Sequence, residues 1–151
     1  MKLQSDLREF IGLLNSHKVE YIVVGGHAVA FHGYPRLTID IDFLIDSTKD
    51  NARRLLAALA DFGFADVGLN EQTFTTAEKI VQLGRPPNRI DLLTSISGVS
   101  FADAWAGRVA GELDGIPVSF LGRAALLANK RASARAKDLA DLAELERRGG
   151  G

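Results

Sequence analysis

Two aspartates separated by a single residue, Asp40 and Asp42, are the strongest candidates for chemistry in this sequence. They lie in an alternating segment, residues 37–46 (LTIDIDFLID), which predicts a β-strand with both aspartates on its polar face. Their Cα atoms would be about 6.5–7 Å apart, so the carboxylates can bind one ion or bridge two. Hard oxygen ligands favour Mg²⁺ or Mn²⁺ over zinc. For an isolated pair of this kind, two solvated acids on an exposed sheet face are the commoner explanation.

A third acid, Asp91, interrupts the apolar strand that the sequence predicts at residues 89–93. Acidic residues are disfavoured in the middle of a strand, so this position needs a physical reason. Three reasons stay open: an edge position in the sheet, an ion pair with Arg89, or a role as a metal ligand.

A glycine pair, Gly25 and Gly26, joins the buried strand predicted at residues 20–24 to a short helix predicted at residues 26–32. Glycines at such a junction let backbone N–H groups approach a phosphate. The alternative is an ordinary strand-to-helix turn. The junction is not a Walker loop, because no G-K-[ST] follows it.

Together these residues resemble the nucleotidyltransferase superfamily, which has the fold of DNA polymerase β. The family pattern is a hydrophobic residue, a glycine pair, a gap, an acid-hydrophobic-acid motif and a third acid on a later strand. Here the gap holds thirteen residues, and the match covers about residues 20–93. The resemblance implies an α+β fold with a small mixed sheet flanked by helices and with C-terminal helices. It also implies that Asp40, Asp42 and Asp91 are catalytic metal ligands for Mg²⁺ or Mn²⁺, and that Gly25 and Gly26 bind the triphosphate of an NTP.

Two longer signatures are similar to the abortive-infection (AbiEii-type) toxin nucleotidyltransferases and their small relatives. The first is G-G-H-A at residues 25–28, followed by R-L-T-I-D-I-D at residues 36–42. The second is Lys130 followed by R-A-K-D-L-A-D at residues 135–141, where Asp138 and Asp141 share one helix face. The likeness implies that Lys130, Arg135 and Asp138 also bind the nucleotide. Arg36, just before the strand, is either a phosphate clamp or an ordinary loop arginine, and Thr38 shares the polar face of Asp40 and can orient it. For Asp138, a catalytic role and a salt bridge within the helix both stay open.

The likeness implies an RNA acceptor such as tRNA, a role as the toxin of a toxin–antitoxin pair, and a cognate antitoxin as partner. One alternative is a transferase that modifies a small hydroxylated antibiotic. Another is a non-catalytic regulatory or antitoxin member of the fold, although all three acids are present. The formal net charge of −1 weakens the RNA hypothesis, because binding to a phosphate backbone requires an excess of Lys and Arg. Basic residues do cluster between positions 123 and 137, either as a patch beside the site or as helix surface.

Length and composition favour one soluble α+β domain over residues 1–148, with a frayed tail at residues 149–151. The chain has 151 residues, 46% of them hydrophobic and 25% charged, which is typical of a globular protein. It contains no cysteine and no apolar run of about 18 residues, so we expect a cytoplasmic protein without a membrane span.

The remaining elements follow from hydrophobic periodicity and turn residues. We expect helices at residues 3–17, 48–62 and 101–108, and two helices within residues 122–148. We expect strands at residues 73–75 and 79–83, and a turn leading into a strand at residues 115–118.

Overall fold

The computed structural model describes residues 5–35, 40–65, 68–84 and 89–148. The helices are α1 (Ser5–Ser16), α2 (Gly25–Phe31), α3 (Lys49–Asp61), α4 (Glu71–Thr75), α5 (Phe101–Ala106), α6 (Arg123–Ser133) and α7 (Ala136–Arg148). The strands are β1 (Tyr21–Val24), β2 (Ile41–Ile45), β3 (Ile80–Leu83), β4 (Ile90–Leu93), β5 (Val109–Leu113) and β6 (Ile116–Phe120). The helix that begins at Lys49 is capped by the Thr48 side chain, which accepts a hydrogen bond from the Asn51 backbone N–H.

The strands form one mixed sheet in the order β3-β4-β2-β1-β6-β5. β2 pairs with β4 in parallel, as β1 does with β6, and the other neighbouring pairs are antiparallel. This confirms the predicted α+β architecture with a small mixed sheet flanked by helices. It also places the strands that contain Asp42 and Asp91 side by side.

Helices cover both faces of the central strands. Val23 packs in one core cluster with residues of α1 and α3, whereas its neighbours Ile22 and Val24 pack with residues of α2, α6 and α7. Because β1 is buried on both faces, its sequence is a continuous apolar run and not an alternating one.

The prediction that the segment at residues 37–46 has a solvated polar face is wrong. Ile41 and Phe43 point into the first cluster, as the alternation predicts, but Leu44 on the opposite face is equally buried. That face lies beneath α2 and the C-terminal helices. Asp42 shares this face and is therefore partly buried rather than solvated. Residues 37–39 of the predicted strand lie outside the described residues.

Two further expectations differ from the structure. The strand predicted at residues 73–75 is wrong, because these residues belong to α4. Asn70 and Thr73 form a reciprocal capping box that starts this helix, and Phe74 turns into the core. β5 was not predicted, because Gly111 interrupts its apolar pattern. A Cβ at Gly111 would lie only 2.8–2.9 Å from the rings of Phe120 and Phe31, so close aromatic packing requires glycine there.

None of the helices in the described part of the chain has the length and apolar character needed to span a bilayer.

Candidate functional site

The register of the sheet brings the aspartates and the glycine pair together. Asp42 lies opposite Asp91 across the parallel pair of β2 and β4. On its other side, Asp42 lies opposite Val24, the residue that precedes Gly25. Residues from three separate parts of the sequence therefore meet around the Asp42 carboxylate.

Gly25 is required where it meets Asp42. Its φ of +70° lies in the left-handed region that favours glycine. A Cβ built on Gly25 would lie 3.0 Å from the Asp42 Cγ and would overlap its Oδ2. The side chain of Asp42 therefore depends on the absence of a side chain at position 25.

We expect Gly25→Ala to lower the free energy of unfolding by about 2–4 kcal/mol, because it combines a strained φ with a steric clash. Gly115→Ala is the matched control: its φ is +79°, and no atom lies within 4 Å of an added Cβ. The control should lose only about 1 kcal/mol. Thermal and urea unfolding of both variants measures the difference, and equal losses would show that Asp42 does not restrict this position.

The outer aspartates are tied to Arg89. Arg89 Nη2 lies 2.8 Å from Asp40 Oδ2, and Arg89 Nε lies 3.3 Å from Asp91 Oδ1. Of the three explanations for an acid at position 91, the ion pair with Arg89 is therefore present. The edge explanation is wrong, because β4 lies between β3 and β2.

The carboxylate of Asp42 holds its proton unusually tightly. Burial above all, then a hydrogen bond with Asp91 and the charges of Asp91 and Asp40, together raise the pKa of Asp42 to about 7, although the Arg89 charge lowers it. Asp42 and Asp91 are close enough to share a hydrogen. Adjacent carboxylates of this kind resist ionising together, and a cation that offsets their charge lowers this resistance.

A cavity of about 670 Å³ opens beside Asp42. Its wall includes Gly25, Gly26, Lys130, Arg135 and Asp138, all of which the sequence singles out. The glycine pair, Asp42 of the D-x-D motif and residues of the C-terminal signature therefore line one cavity. Arg36 and Thr38 lie outside the described residues.

Lys130 is neutralised by two buried aspartates. Its Nζ lies 3.2 Å from Asp138 Oδ1 and 3.1 Å from Asp141 Oδ2, and all three side chains are at least nine-tenths buried. Burial alone would raise the pKa of Asp138, but hydrogen bonds from Arg135, Ser133 and Lys130 hold that pKa well below its usual range. Arg135 also forms an ion pair with Asp138, in which its Nε donates a hydrogen bond of 2.7 Å to Asp138 Oδ2. The second signature therefore contains a closed ion network that packs α6 against α7.

Lys137 is a cavity residue to which the sequence assigned no role in the site. It is exposed, and within the described part of the chain no carboxylate oxygen lies within ion-pair distance of its Nζ. Its position beside Asp138 in the R-A-K-D motif is the signal that was available. Glu78, Ser95, Ser97, Asn129 and Ser133 also line the cavity, and no motif marks them.

The donor set suits a divalent cation. Asp42 and Asp91 place hard carboxylate oxygens side by side, and Asp91 Oδ1 is buried without a hydrogen bond from any described residue. Across the residues that the structure describes, however, no three His, Asp or Glu side chains are already gathered as a metal site. Asp40 contacts Arg89 in this state.

A family match and a structural match to known proteins both agree with a nucleotidyltransferase fold. The sequence matches the model of a family described as a nucleotidyltransferase of unknown function (DUF6036) over residues 1–146. The structure is similar to the crystal structure of a Thermotoga maritima protein, provisionally described as a nucleotidyltransferase. The TM-score is 0.58 and the identity is 16%, over 93% of this chain and 88% of that chain. At this identity the likeness shows the fold alone, and it confirms the nucleotidyltransferase fold. No curated protein matches the sequence significantly.

Proposed function

Because the chain belongs to the DUF6036 family of nucleotidyltransferases, we propose that it moves a nucleoside monophosphate from an NTP to an acceptor hydroxyl in a metal-dependent reaction. One observation carries this proposal: Asp42 lies beside both Asp91 and the glycine pair at the wall of the cavity. The cavity volume of about 670 Å³ is within the range that small-molecule sites occupy.

Asp40, Asp42 and Asp91 are the residues that would hold Mg²⁺ or Mn²⁺. A bound ion supplies positive charge to the triphosphate and lowers the pKa of the acceptor hydroxyl. Asp42 lines the cavity and faces the nucleotide, whereas Asp91 lies deeper in the sheet. Asp91 takes the proton of the acceptor hydroxyl in this proposal.

The triphosphate lies against the glycine pair and Lys137. Gly25 and Gly26 line the cavity, and we assign their backbone N–H groups to the phosphate oxygens. Lys130 and Arg135 line the same cavity, but Asp138 and Asp141 already offset their charges. Lys137 is therefore the cavity cation that we assign to the phosphates, and Arg36 keeps the phosphate-binding role proposed from the sequence.

The reaction balances without any further reactant. The acceptor oxygen forms a bond to the α-phosphorus while the bond from that phosphorus to the β-bridging oxygen breaks. Pyrophosphate leaves with the electron pair, and the acceptor proton passes to Asp91. Most of the rate enhancement comes from positioning and from neutralising charge, as in other phosphoryl-transfer sites.

For the acceptor, we propose RNA, in particular tRNA, with the protein acting as the toxin of a toxin–antitoxin pair. The support is the resemblance of both signatures to the AbiEii-type toxins. The near-neutral net charge favours a small hydroxylated acceptor instead, and this is the second candidate.

The test is transfer from each of the four α-labelled NTPs to total RNA in the presence of Mg²⁺. We expect label in an RNA band, and we expect Asp40→Ala and Asp42→Ala to lose it. Asp50→Ala is the matched control, because Asp50 is 82% exposed and its ion pair with Arg53, at 3.8 Å, is also exposed.

Each other outcome has its own meaning. Binding of Mg-NTP without RNA labelling would keep the site and move the acceptor to a small molecule. Absence of both binding and labelling would contradict the enzymatic proposal and favour a regulatory member of the fold.

A further inference from the structure

The guanidinium of Arg89 lies between two of the three aspartates that we propose as metal ligands. Arg89 Nη2 is 2.8 Å from Asp40 Oδ2 and donates a hydrogen bond of 3.4 Å to Asp91 Oδ2. Arg89 Nε is also 3.3 Å from Asp91 Oδ1. One side chain therefore contacts both outer carboxylates at once.

The sheet fixes the position of this side chain. The Arg89 backbone carbonyl accepts a hydrogen bond of 3.2 Å from the Ile41 N–H, which ties the start of β4 to the start of β2. The Arg89 side chain is 32% exposed, and those of Asp40 and Asp91 are 29% and 11% exposed. Because this partly buried side chain contacts two carboxylates at once, we expect it to be held more firmly than an exposed surface ion pair.

The contacts of Arg89 conflict with metal binding. A divalent ion on these carboxylates would lie close to the guanidinium, and two positive charges repel each other at this distance. The described residues contain no ready cluster of three acidic or histidine side chains, and Asp40 contacts Arg89. Carboxylates crowded in this way require a positive charge, and Arg89 supplies one.

We propose that Arg89 is a resident counter-cation that holds Asp40 and Asp91 in the absence of metal, and that its guanidinium must leave them before the site binds a divalent ion. This inference rests on the proposed function, because it concerns the same metal site. Arg89 is a positioning residue here: it acts through the carboxylates. Removing its charge should therefore strengthen metal binding, whereas a purely structural role predicts weaker binding.

The experiment is calorimetric titration of the full chain with Mn²⁺ alone at pH 8, where the pKa of about 7 leaves Asp42 mostly ionised. We expect Arg89→Gln to bind Mn²⁺ at least about fivefold more tightly than the unmodified protein. Arg89→Lys keeps the charge but loses the simultaneous contact with Asp40 and Asp91, and its affinity should lie between the two. Arg53→Gln is the control, since Arg53 makes exposed ion pairs with Asp50 and Glu71, and its affinity should not change.

Two results would overturn the inference in different ways. If Mn²⁺ binds the unmodified protein and binds Arg89→Gln equally or more weakly, the counter-cation role is wrong and the metal site stands. If Mn²⁺ binds neither protein, the metal site of the proposed function fails as well. Should Arg89→Gln not fold, the ¹⁵Nε–H signal of Arg89 decides the question. We expect Mg²⁺ to shift it and to increase its exchange with water, and an unchanged signal in a protein that binds Mg²⁺ would refute the inference.

Discussion

Asp42→Asn is expected to abolish nucleotidyl transfer and, at the same time, to stabilise the fold. The substitution removes the aspartate that lines the cavity and lies beside both Asp91 and Gly25. Loss of a metal-ligating carboxylate removes several kcal/mol of charge stabilisation, so we expect a rate decrease of at least about 10³-fold. An amide at this position no longer repels Asp91 and can donate a hydrogen bond to it.

The stabilisation has a defined pH dependence. The pKa of Asp42 is about 7 in the folded protein and 3.8 as a free side chain, so the folded state binds this proton more tightly than the unfolded state. Between about pH 4 and pH 7 the unfolded chain releases a proton that the folded chain keeps. The free energy of unfolding therefore falls as the pH rises through this window, and stays low above it.

Thermal unfolding at pH 5 and pH 8 tests this prediction. At pH 8 and without metal, Asp42→Asn should be more stable by about 1–3 kcal/mol, or roughly 3–10 °C in Tm. At pH 5 most of this difference should disappear, and the exposed control Asp50→Asn should change little at either pH. A variant no more stable than the unmodified protein at pH 8 would show that the charge of Asp42 does not destabilise the fold.

Lys130→Met is expected to lower the free energy of unfolding by about 3–5 kcal/mol, because it leaves two buried carboxylates without their shared cation. The Lys130 side chain is 7% exposed and those of Asp138 and Asp141 are 1% and 5% exposed, so water cannot replace it. The adjacent Arg131→Met is the matched control. Arg131 makes an exposed ion pair with Glu146, and its loss should cost less than about 1 kcal/mol.

Chemical denaturation of both variants measures these costs. The double variant Lys130→Met with Asp141→Leu should recover part of the loss, since it removes one of the stranded charges as well. If Lys130→Met were as stable as the Arg131 control but bound NTP more weakly, the residue would belong to the phosphate site and not to the helix packing.

Most helices and strands could be predicted from the sequence, because their local signals agree with the fold. The apolar residues of β1, the Thr48 cap and the glycines at strand ends are all local signals. Thr73, Phe74 and Thr75 favour β structure by propensity, but the capping box that begins at Asn70 makes this segment the helix α4. In β5, packing of two aromatic rings against Gly111 overrides the poor strand propensity of glycine.

The site could be predicted only where spacing within one element determines it. The shared helix face of Asp138 and Asp141 follows from their spacing, and both do contact Lys130. The burial of that trio depends on how α6 packs against α7, so the sequence could not show that the charge of Lys130 is already offset. The position of Arg89 between Asp40 and Asp91 likewise depends on the pairing of β2 with β4, which joins residues about fifty positions apart.

The most direct test of the account is the crystal structure of the protein with Mn²⁺ and an NTP analogue that cannot be cleaved at the α-phosphate. Anomalous scattering locates the manganese independently of the nucleotide. The account predicts manganese on the carboxylates of Asp40, Asp42 and Asp91, with the triphosphate against Gly25 and Gly26 and near Lys137. Manganese away from these carboxylates, or a nucleotide bound outside this cavity, would contradict it.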